Sequence, residues 1–279
     1  MWFVSWQSTS IQNEIEMIQG KVFALANQKG GVGKTTTAVN LASAVAKLGK
    51  KTLLVDSDPQ GNASSGLGIN TADMEHHLYH CFMNEADVAQ AIRQSVHDEN
   101  LFVLPTHIDL IGVEVELVSA VKRERFLAEM LAPLLSHYEY IFIDCPPSLG
   151  LLTINALTAS NSVIIPLQCE YFALEGLSQL VRTIRLVKNS YNPKLTIEGI
   201  VLTMYDRRNR LTHQVAKEVK QHFNNQVYDT VIPRNVRLSE CPSHGVSIHN
   251  YDTRSSGALS YMNLGREFLK KQDRHGRRN

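Results

Sequence analysis

The sequence reads ALANQKGGVGKTTT from Ala24 to Thr37, and this stretch decides the fold. It begins as an apolar run, passes through three closely spaced glycines, and continues into residues with helical spacing. Glycines let the backbone turn tightly, so that its N–H groups can face phosphate oxygens without interference from Cβ atoms. The positive N-terminus of the following helix points at the same anions. The stretch therefore predicts a strand, a phosphate-binding loop and a helix.

The residue types in the loop predict individual roles. Lys34 is placed to reach the β- and γ-phosphates of a nucleotide, and the Thr35 hydroxyl is placed to ligate Mg²⁺. A dinucleotide-binding fingerprint is excluded because it needs glycine at position 36, where threonine stands. The predicted cofactors are thus ATP and Mg²⁺, and the predicted nucleotide-binding residues of the loop are Lys29, Gly30, Gly31, Val32, Gly33, Lys34, Thr35 and Thr36.

Two apolar runs that end in aspartate complete the predicted site. The first is KTLLVDSDPQGN, residues 51–62, which contains Asp58, and the second is YIFIDCPPS, residues 140–148, which contains Asp144. A strand that ends beside a phosphate-binding loop can offer a carboxylate to Mg²⁺ or to the attacking water. The predicted Mg²⁺ ligands are therefore Thr35, Asp58 and Asp144, with Asp144 acting through water.

Short apolar runs alternate with helical patterns along the chain. Strands are predicted at residues 21–27, 51–56, 101–105, 140–144, 162–167, 195–204 and 226–232. Most of these runs are continuously apolar, which is typical of strands covered on both faces. We predict an α/β fold with a mostly parallel, twisted sheet flanked by helices on both faces. One domain is expected over residues 17–272, with an N-terminal extension at 1–16 and a polar basic tail at 273–279.

The composition limits the classes of function. The 279 residues are 43% hydrophobic, and no apolar run reaches the roughly 18–20 residues needed to span a bilayer. A cytoplasmic protein is expected. The formal net charge is +1, so any binding of nucleic acid must come from a local basic patch. The four cysteines lie far apart in the sequence, which favours reduced thiols over disulfides or a zinc site.

The string KGGVGKTT resembles the phosphate-binding loop of a distinct group of ATPases. The ordinary pattern has glycine where Gln28 stands, whereas this group has the "deviant" loop with an additional lysine, here Lys29. Further stretches at 27–37, 55–67, 140–159, 201–206 and 231–245 resemble the ParA-type partition ATPases, including the small chromosomal form called Soj. The resemblance covers the chain from about Met17 to Phe268.

The resemblance implies an ATPase that forms a sandwich dimer with ATP. Lys29 of each subunit would reach the phosphates held by the other, with Gly30 at the point where the two loops meet. Asp58 would position or activate the hydrolytic water, so that Lys29, Lys34 and Asp58 are the implied catalytic residues. A loop of Pro233, Arg234 and Asn235 would close on the adenine.

The ParA resemblance also implies two partners. The ATP dimer would bind DNA without sequence preference on the nucleoid, and a ParB-like centromere-binding protein would stimulate an otherwise slow hydrolysis and release it. Contacts to DNA phosphates need only positive charge along one face. The candidate residues are arginines that follow two of the predicted strands, with one more later in the chain. They are Arg207, Arg208, Arg210, Arg234, Arg237 and Arg254.

A MinD-like membrane-associated ATPase is the alternative, and it would need an amphipathic C-terminal helix. Tyr261, Leu264 and Phe268 form a helical stripe, but the residues after them include no large apolar side chain. We expect the stripe to dock on the core and no membrane to be bound.

Cysteines and histidines offer two weaker readings. An ATPase that carries an iron–sulfur cluster would need partnered thiolates, whereas Cys145 and Cys169 have no cysteine nearby in the sequence. Both are expected in the core. His76, His77 and His80 are interpreted as a surface helix face, because no carboxylate or cysteine in that stretch completes a good metal site.

Overall fold

A seven-stranded sheet forms the centre of the molecule. The computed structural model describes residues 19–72 and 74–276, so the extension predicted at residues 1–16 lies outside the described part. In space the strands run in the order β3-β4-β2-β5-β1-β6-β7, and all neighbours are parallel except β3 and β4. The strands are β1 Lys21–Leu25, β2 Thr52–Asp56, β3 Arg93–Gln94, β4 Leu101–Leu104, β5 Tyr140–Asp144, β6 Ser162–Gln168 and β7 Thr196–Thr203.

Helices connect the parallel strands and cover both faces of the sheet. In chain order the α-helices are α1 Lys34–Lys47, α2 Asn62–Ser65, α3 Leu78–Phe82, α4 Val88–Ala91, α5 Val113–Glu116, α6 Phe126–Leu131, α7 Leu151–Ala159, α8 Ala173–Ser190, α9 Arg210–Phe223, α10 Arg237–Glu240, α11 Ile248–Tyr251 and α12 Ser256–Gly276. Short 3₁₀ helices lie at Ile108–Gly112, Arg123–Arg125, Ala132–Ser136, Asn224–Gln226 and Cys241–His244.

The sheet has a buried core on each face. Successive residues of a strand point to opposite faces, and β1 accordingly sends Val22 and Ala24 into one core and Phe23 and Leu25 into the other. Helices α7, α8 and α9 cover the first face, whereas α1 and α12 cover the second. Both faces are apolar, which explains why most strands appear as uninterrupted apolar runs. The predicted fold class is confirmed.

The last helix packs against the first. Tyr261, Leu264 and Phe268 of α12 are fully buried, as expected for a stripe that docks on the core. The Tyr261 hydroxyl lies 3.1 Å from Thr37 Oγ1 of α1, and the Phe268 ring meets the Phe23 ring edge-on at 4.9 Å. Because α12 continues to Gly276, the tail predicted from residue 273 begins within this helix. None of the described helices is long and apolar enough to cross a membrane.

Two strand predictions differ from the structure. Residues 226–232 do not form a strand, and only isolated bridges join Val227 to Ile200 and Pro233 to Tyr205. The backbone N–H groups of Asp229 and Thr230 instead donate to the carboxylate of Glu267 on α12, at 2.8 and 2.9 Å. Tyr228 and Ile232 still donate to the Ile200 and Leu202 carbonyl oxygens of β7, so the Glu267 side chain interrupts the pairing between them. The edge strand β3 was not predicted, because its two residues are exposed and polar.

Candidate nucleotide-binding site

The glycine-rich loop between β1 and α1 is shaped by two left-handed residues. Gly31 and Gly33 have φ angles of 73° and 83°, a region that side chains with a Cβ rarely adopt. Gly33 directly precedes Lys34, the first residue of α1. The Thr203 hydroxyl at the end of β7 donates to the Val32 carbonyl oxygen at 2.7 Å and holds the loop against the sheet. The loop therefore wraps around the N-terminus of α1, as anion binding requires.

A cleft of about 570 Å³ opens above this loop. Its lining includes residues that were predicted from the sequence and others that were not. Most of the others lie within the motifs quoted above or next to the end of a strand, and this position in the sequence could have indicated them. The predicted residues in its lining are Gly30, Gly31, Gly33, Lys34, Thr35, Thr36 and Asp58. The others are Val39, Asn40, Gln60, Asn62, Ser65, Gly66, Pro147, Met204, Cys241, Pro242 and Val246.

Two aspartates lie side by side at the carboxyl ends of β2 and β5. Asp56 is paired in register with Asp144, and both are fully buried. Asp56 accepts hydrogen bonds from the Ser64 backbone N–H at 2.8 Å and from the Ser64 hydroxyl at 2.7 Å. Burial raises the pKa of Asp56 to about 6 despite these bonds. Asp56 is therefore a structural anchor for the start of α2, next to the predicted ligand Asp58.

Asp144, unlike Asp56, does not accept hydrogen bonds of this kind. Neither of its carboxylate oxygens has a hydrogen-bond partner of acceptable geometry within the described residues. Burial and the neighbouring Asp56 raise its pKa well above the usual range, and the Thr35 hydroxyl and the Lys34 ammonium only partly oppose this. A fully buried carboxylate without a partner is unfavourable, so this position suits a cation or a water bound to one.

Lys34 supplies the positive charge beside these carboxylates. Its side chain is buried, and its ammonium donates to the Lys29 carbonyl oxygen at 3.3 Å. Burial lowers the pKa of Lys34, while Asp144, Cys145 and Asp58 act in the opposite direction. Asp58 is 8% exposed, and its Oδ1 accepts from the Gln60 backbone N–H at 3.0 Å. The site thus combines one ammonium and three carboxylates around the loop.

Lys29 points away from the cleft of its own chain. Its ammonium forms an ion pair with Glu170 at 2.5 Å, and both side chains are about half exposed. At the adjacent Gly30 a Cβ would meet no described atom within 4 Å, and the backbone does not have a positive φ. The folding of one chain therefore places no demand for glycine at this position.

The predicted adenine loop lies beside the cleft rather than in its lining. Pro233 bridges to Tyr205, Arg234 is exposed, and the Asn235 side chain donates to the Ser256 hydroxyl at 2.6 Å. Cys241, Pro242 and Val246, a few residues further along, line the cleft instead.

The predicted DNA-contacting arginines are exposed, but they do not form one cluster of free charges. Arg208 pairs with Asp206 at 3.4 Å while its side chain stays 92% exposed. Arg237 pairs with Glu240 at 2.8 Å and with Asp252 at 3.6 Å. The remaining exposed members of the set are Arg207, Arg210, Arg234 and Arg254.

The histidine and cysteine interpretations have different outcomes. Cys145 and Cys169 are free, buried thiols, as expected for core residues. The reading of the histidines as a surface face is wrong for His77, which is 4% exposed and precedes α3. Burial and the neighbouring His80 and His107 lower its pKa to about 4, so this imidazole is neutral at pH 7.

Comparisons with known proteins identify the family. A family model described as an AAA domain matches residues 20–197. The chain is 58% identical over 248 residues to the sporulation initiation inhibitor protein Soj of Bacillus subtilis, covering 89% of this chain and 98% of that protein. The chain belongs to the ParA/Soj family of chromosome-partitioning ATPases. This ParA/Soj chain is also 54% identical over 252 residues to the chromosome partitioning protein ParA of Myxococcus xanthus, covering 90% and 89% of the two chains.

Solved structures agree with the ParA/Soj fold. Cobyrinic acid a,c-diamide synthase from Mycobacterium smegmatis, with bound ADP and magnesium, is 34% identical with a TM-score of 0.80 over 91% of this chain and 96% of that one. The septum site-determining protein MinD of Pyrococcus horikoshii, complexed with Mg-ADP, is 27% identical with a TM-score of 0.74 over 89% and 95%. These neighbours are consistent with the expected cofactors, ATP and Mg²⁺.

Proposed function

We propose that this ParA/Soj-type ATPase is an ATP-driven DNA-segregation switch. ATP with Mg²⁺ brings two chains together, the dimer binds DNA without sequence preference, and hydrolysis releases it. The observation that carries the proposal is the buried Lys34 in the lining of a cleft formed by the glycine loop, together with the buried carboxylate of Asp144 that interacts electrostatically with it. This family's site has the groups needed for a nucleoside triphosphate and its metal ion.

Different residues of the cleft would bind the phosphates of ATP, hold the metal ion and act on the attacking water. The loop N–H groups and Lys34 hold the phosphates, and Thr35 and Asp144 hold Mg²⁺, Asp144 through water. The metal ion supplies charge stabilisation at the transferring phosphate. Asp58 lines the cleft, and its Oδ1 accepts from the Gln60 backbone N–H; its carboxylate would position or activate the attacking water and would also help to hold the metal ion.

Lys29 and Gly30 support the dimer. In one chain the Lys29 ammonium is held by Glu170 rather than by the cleft. An exposed ion pair of this kind contributes only about 0–1 kcal/mol, so Lys29 can exchange Glu170 for the phosphates of a second chain. The space around Gly30 is open in one chain and would receive the loop of the partner.

DNA binding rests on the exposed arginines that follow β7 and the bridge at Pro233. Each contact to a phosphate is weak, and a net charge of +1 gives the whole molecule little attraction for DNA. A dimer doubles the number of contacts on one surface, which raises the apparent affinity strongly. ATP binding and DNA binding are thereby coupled. A ParB-like protein at a centromere-like site would stimulate hydrolysis, and the 233–235 loop would close on the adenine.

The MinD-like alternative receives less support. Its membrane contact would need an available apolar C-terminal face, whereas Tyr261, Leu264 and Phe268 of α12 are fully buried against α1 and the sheet. The relatives named for chromosome partitioning also match at higher identity than MinD.

The experiment measures binding of the Asp58→Ala protein to nonspecific duplex DNA with ATP, with ADP and without nucleotide, across a salt series. Because this variant should bind ATP without hydrolysing it, we expect tight, salt-sensitive binding with ATP alone. The wild-type protein is the control and should release DNA as ATP is consumed. Dimerisation with ATP but no DNA binding would contradict the DNA part of the proposal, and liposomes would then be the next ligand to test.

A further inference from the structure

Two histidines and an aspartate come together outside the nucleotide cleft. His77 precedes α3, whereas His107 and Asp109 begin the 3₁₀ segment after β4. The backbone N–H of Leu78 donates to the Pro105 carbonyl oxygen at 2.9 Å and holds the two segments side by side. One ligand atom from each of His77, His107 and Asp109 lies within 4.8 Å of the others.

His77 has a feature that packing alone does not explain. Its imidazole is buried and faces the His80 backbone N–H in a capping box at the start of α3, but its Nδ1 forms no hydrogen bond within the described part of the chain. Buried polar atoms in folded proteins are nearly always bonded to protein, water or an ion. This nitrogen lies on a ring that adjoins the His107 ring, with centroids 5.1 Å apart. The capping box therefore leaves the hydrogen-bonding capacity of this buried nitrogen incompletely used.

Aromatic stacking is the simpler explanation and accounts for only part of the arrangement. The His80 ring lies 4.1 Å from that of His77, and its Nδ1 accepts from the His77 backbone N–H at 3.3 Å, which assigns His80 to the start of α3. Stacking does not explain why a carboxylate adjoins these rings. Asp109 Oδ2 lies 2.9 Å from His107 Nδ1, and imidazole nitrogen and carboxylate oxygen are both direct ligands in zinc sites.

We propose that His77, His107 and Asp109 bind a divalent transition-metal ion such as Zn²⁺. Imidazole and carboxylate are established ligands of this ion, and a water molecule completes a tetrahedral set. Zinc–ligand bonds of about 2.1 Å place tetrahedral ligand atoms about 3.4 Å apart. The ligand atoms lie within 4.8 Å of one another, so they must move closer together to bind the ion. The exposed Asp109 and the half-buried His107 can do so by side-chain rotation, while His77 is fixed by burial.

The ion would connect two loops that border the nucleotide site. The backbone N–H of Thr106, next to His107, donates to the Ser64 hydroxyl at 3.3 Å, and this hydroxyl donates to Asp56 at the end of β2. An ion that joins His77 to His107 and Asp109 therefore fixes the segment that supports the Asp56 end of the cleft. This site does not depend on the partition function, because it uses none of the nucleotide-binding residues.

The test is a calorimetric titration of the full-length, chelator-treated, nucleotide-free protein with Zn²⁺ in excess Mg²⁺. The excess Mg²⁺ occupies the oxygen ligands of the nucleotide cleft, whereas it competes poorly for imidazole. We expect one tightly bound equivalent of Zn²⁺ and a raised Tm. His107→Gln and Asp109→Asn should each weaken binding at least tenfold. Asp109 is exposed and His107 is half-buried, so the Tm of each variant without zinc is measured as well, and Asp109→Asn should keep the wild-type value.

His76→Gln is the matched control, because His76 belongs to the same histidine stretch but is not one of the proposed ligands. It should keep the wild-type affinity. Co²⁺ provides a second readout, since tetrahedral binding gives visible absorption bands that the His107→Gln protein should lack. The proposal is overturned if no stoichiometric equivalent binds, if His107→Gln leaves the affinity unchanged, or if His76→Gln weakens it as much as His107→Gln does.

Discussion

At the scale of single residues, the buried carboxylate of Asp144 indicates a site for a cation. Its two oxygens are buried, the Thr35 hydroxyl is the side-chain donor that interacts with them among the described residues, and burial and Asp56 raise its pKa well above the usual range. Bound Mg²⁺ would remove this penalty. Because a ligand that binds only the folded state stabilises it by about 2.7 kcal/mol at 100 times its Kd, ATP with Mg²⁺ should raise the Tm of this protein.

Lys34→Ala should strongly weaken the binding of ATP. The buried ammonium is the only positive side chain lining the cleft among the described residues, and hydrogen bonds to charged groups contribute about 1.5–3 kcal/mol each. Affinity should fall at least tenfold, as measured by direct binding of a fluorescent ATP analogue. Circular dichroism should show a folded protein. An unchanged affinity would remove Lys34 from its assigned role.

Gly30→Val should leave a folded monomer that binds ATP but does not dimerise. A Cβ at Gly30 meets no described neighbour within 4 Å of its own chain, so the fold of one chain should tolerate the side chain, which should obstruct the loop of a partner. Size-exclusion chromatography with ATP is the measurement. Gly33→Val is the contrasting control, because its φ of 83° makes any side chain strained and should damage the loop itself. An ATP-dependent dimer of Gly30→Val would contradict the predicted contact.

At the scale of elements, the sequence predicts the strands and loops that are determined by a local pattern of residues. Six of the seven described strands, all except β3, were predicted because burial of both faces gives apolar runs, and the glycine spacing predicted the loop. The segment 226–232 also has buried apolar residues, including Val227 and Tyr228, yet Glu267 of α12 binds its backbone. Likewise His77 and His107 are 30 positions apart and meet only because β4 ends beside α3. Contacts between residues this far apart in the sequence cannot be predicted from a local pattern.

Helix α11 contributes a pH dependence through His249. Its Nε2 donates to the Asn40 carbonyl oxygen of α1 at 3.2 Å, and burial lowers its pKa from 6.5 to about 4. Between these values the unfolded chain binds a proton that the folded chain does not. This contribution to stability is therefore complete above pH 6.5, falls as the pH decreases, and levels off below about pH 4.

His249→Gln keeps a donor for Asn40 but does not titrate. Between pH 7 and pH 5 the wild-type protein should lose about 2 kcal/mol more unfolding free energy than this variant, measured by urea denaturation. His222→Gln, a change at an exposed position of α9, should retain the wild-type pH dependence. Equal losses in the wild type and His249→Gln would show that His249 is not responsible.

At the scale of the whole molecule, charge is arranged locally rather than in total. Arg207 and Arg208 lie beyond the carboxyl end of β7, and replacing both with Ala should weaken DNA binding while leaving ATP-dependent dimerisation intact. Four contacts are lost per dimer, so the slope of log affinity against log salt should decrease by up to about 4. Filter binding over a salt series measures this slope.

The matched control removes the same charge from the other end of β7. Arg125 and Lys194 are both exposed, and they lie together beside the start of this strand. Arg125→Ala with Lys194→Ala should leave the salt slope unchanged. If both double variants reduce DNA affinity equally, the effect is one of net charge, and the proposed DNA-binding surface is wrong.

The packing of α12 on α1 has a consequence for how the chain is made. Thr37 of α1 contacts Tyr261 across 224 positions of sequence, so the core behind α1 stays open until the residues around Tyr261 have left the ribosome. Contacts this distant form slowly, and partly synthesised chains expose apolar surface meanwhile. A chain that stops before Phe268 should therefore be cleared by proteases rather than accumulate as an inactive ATPase.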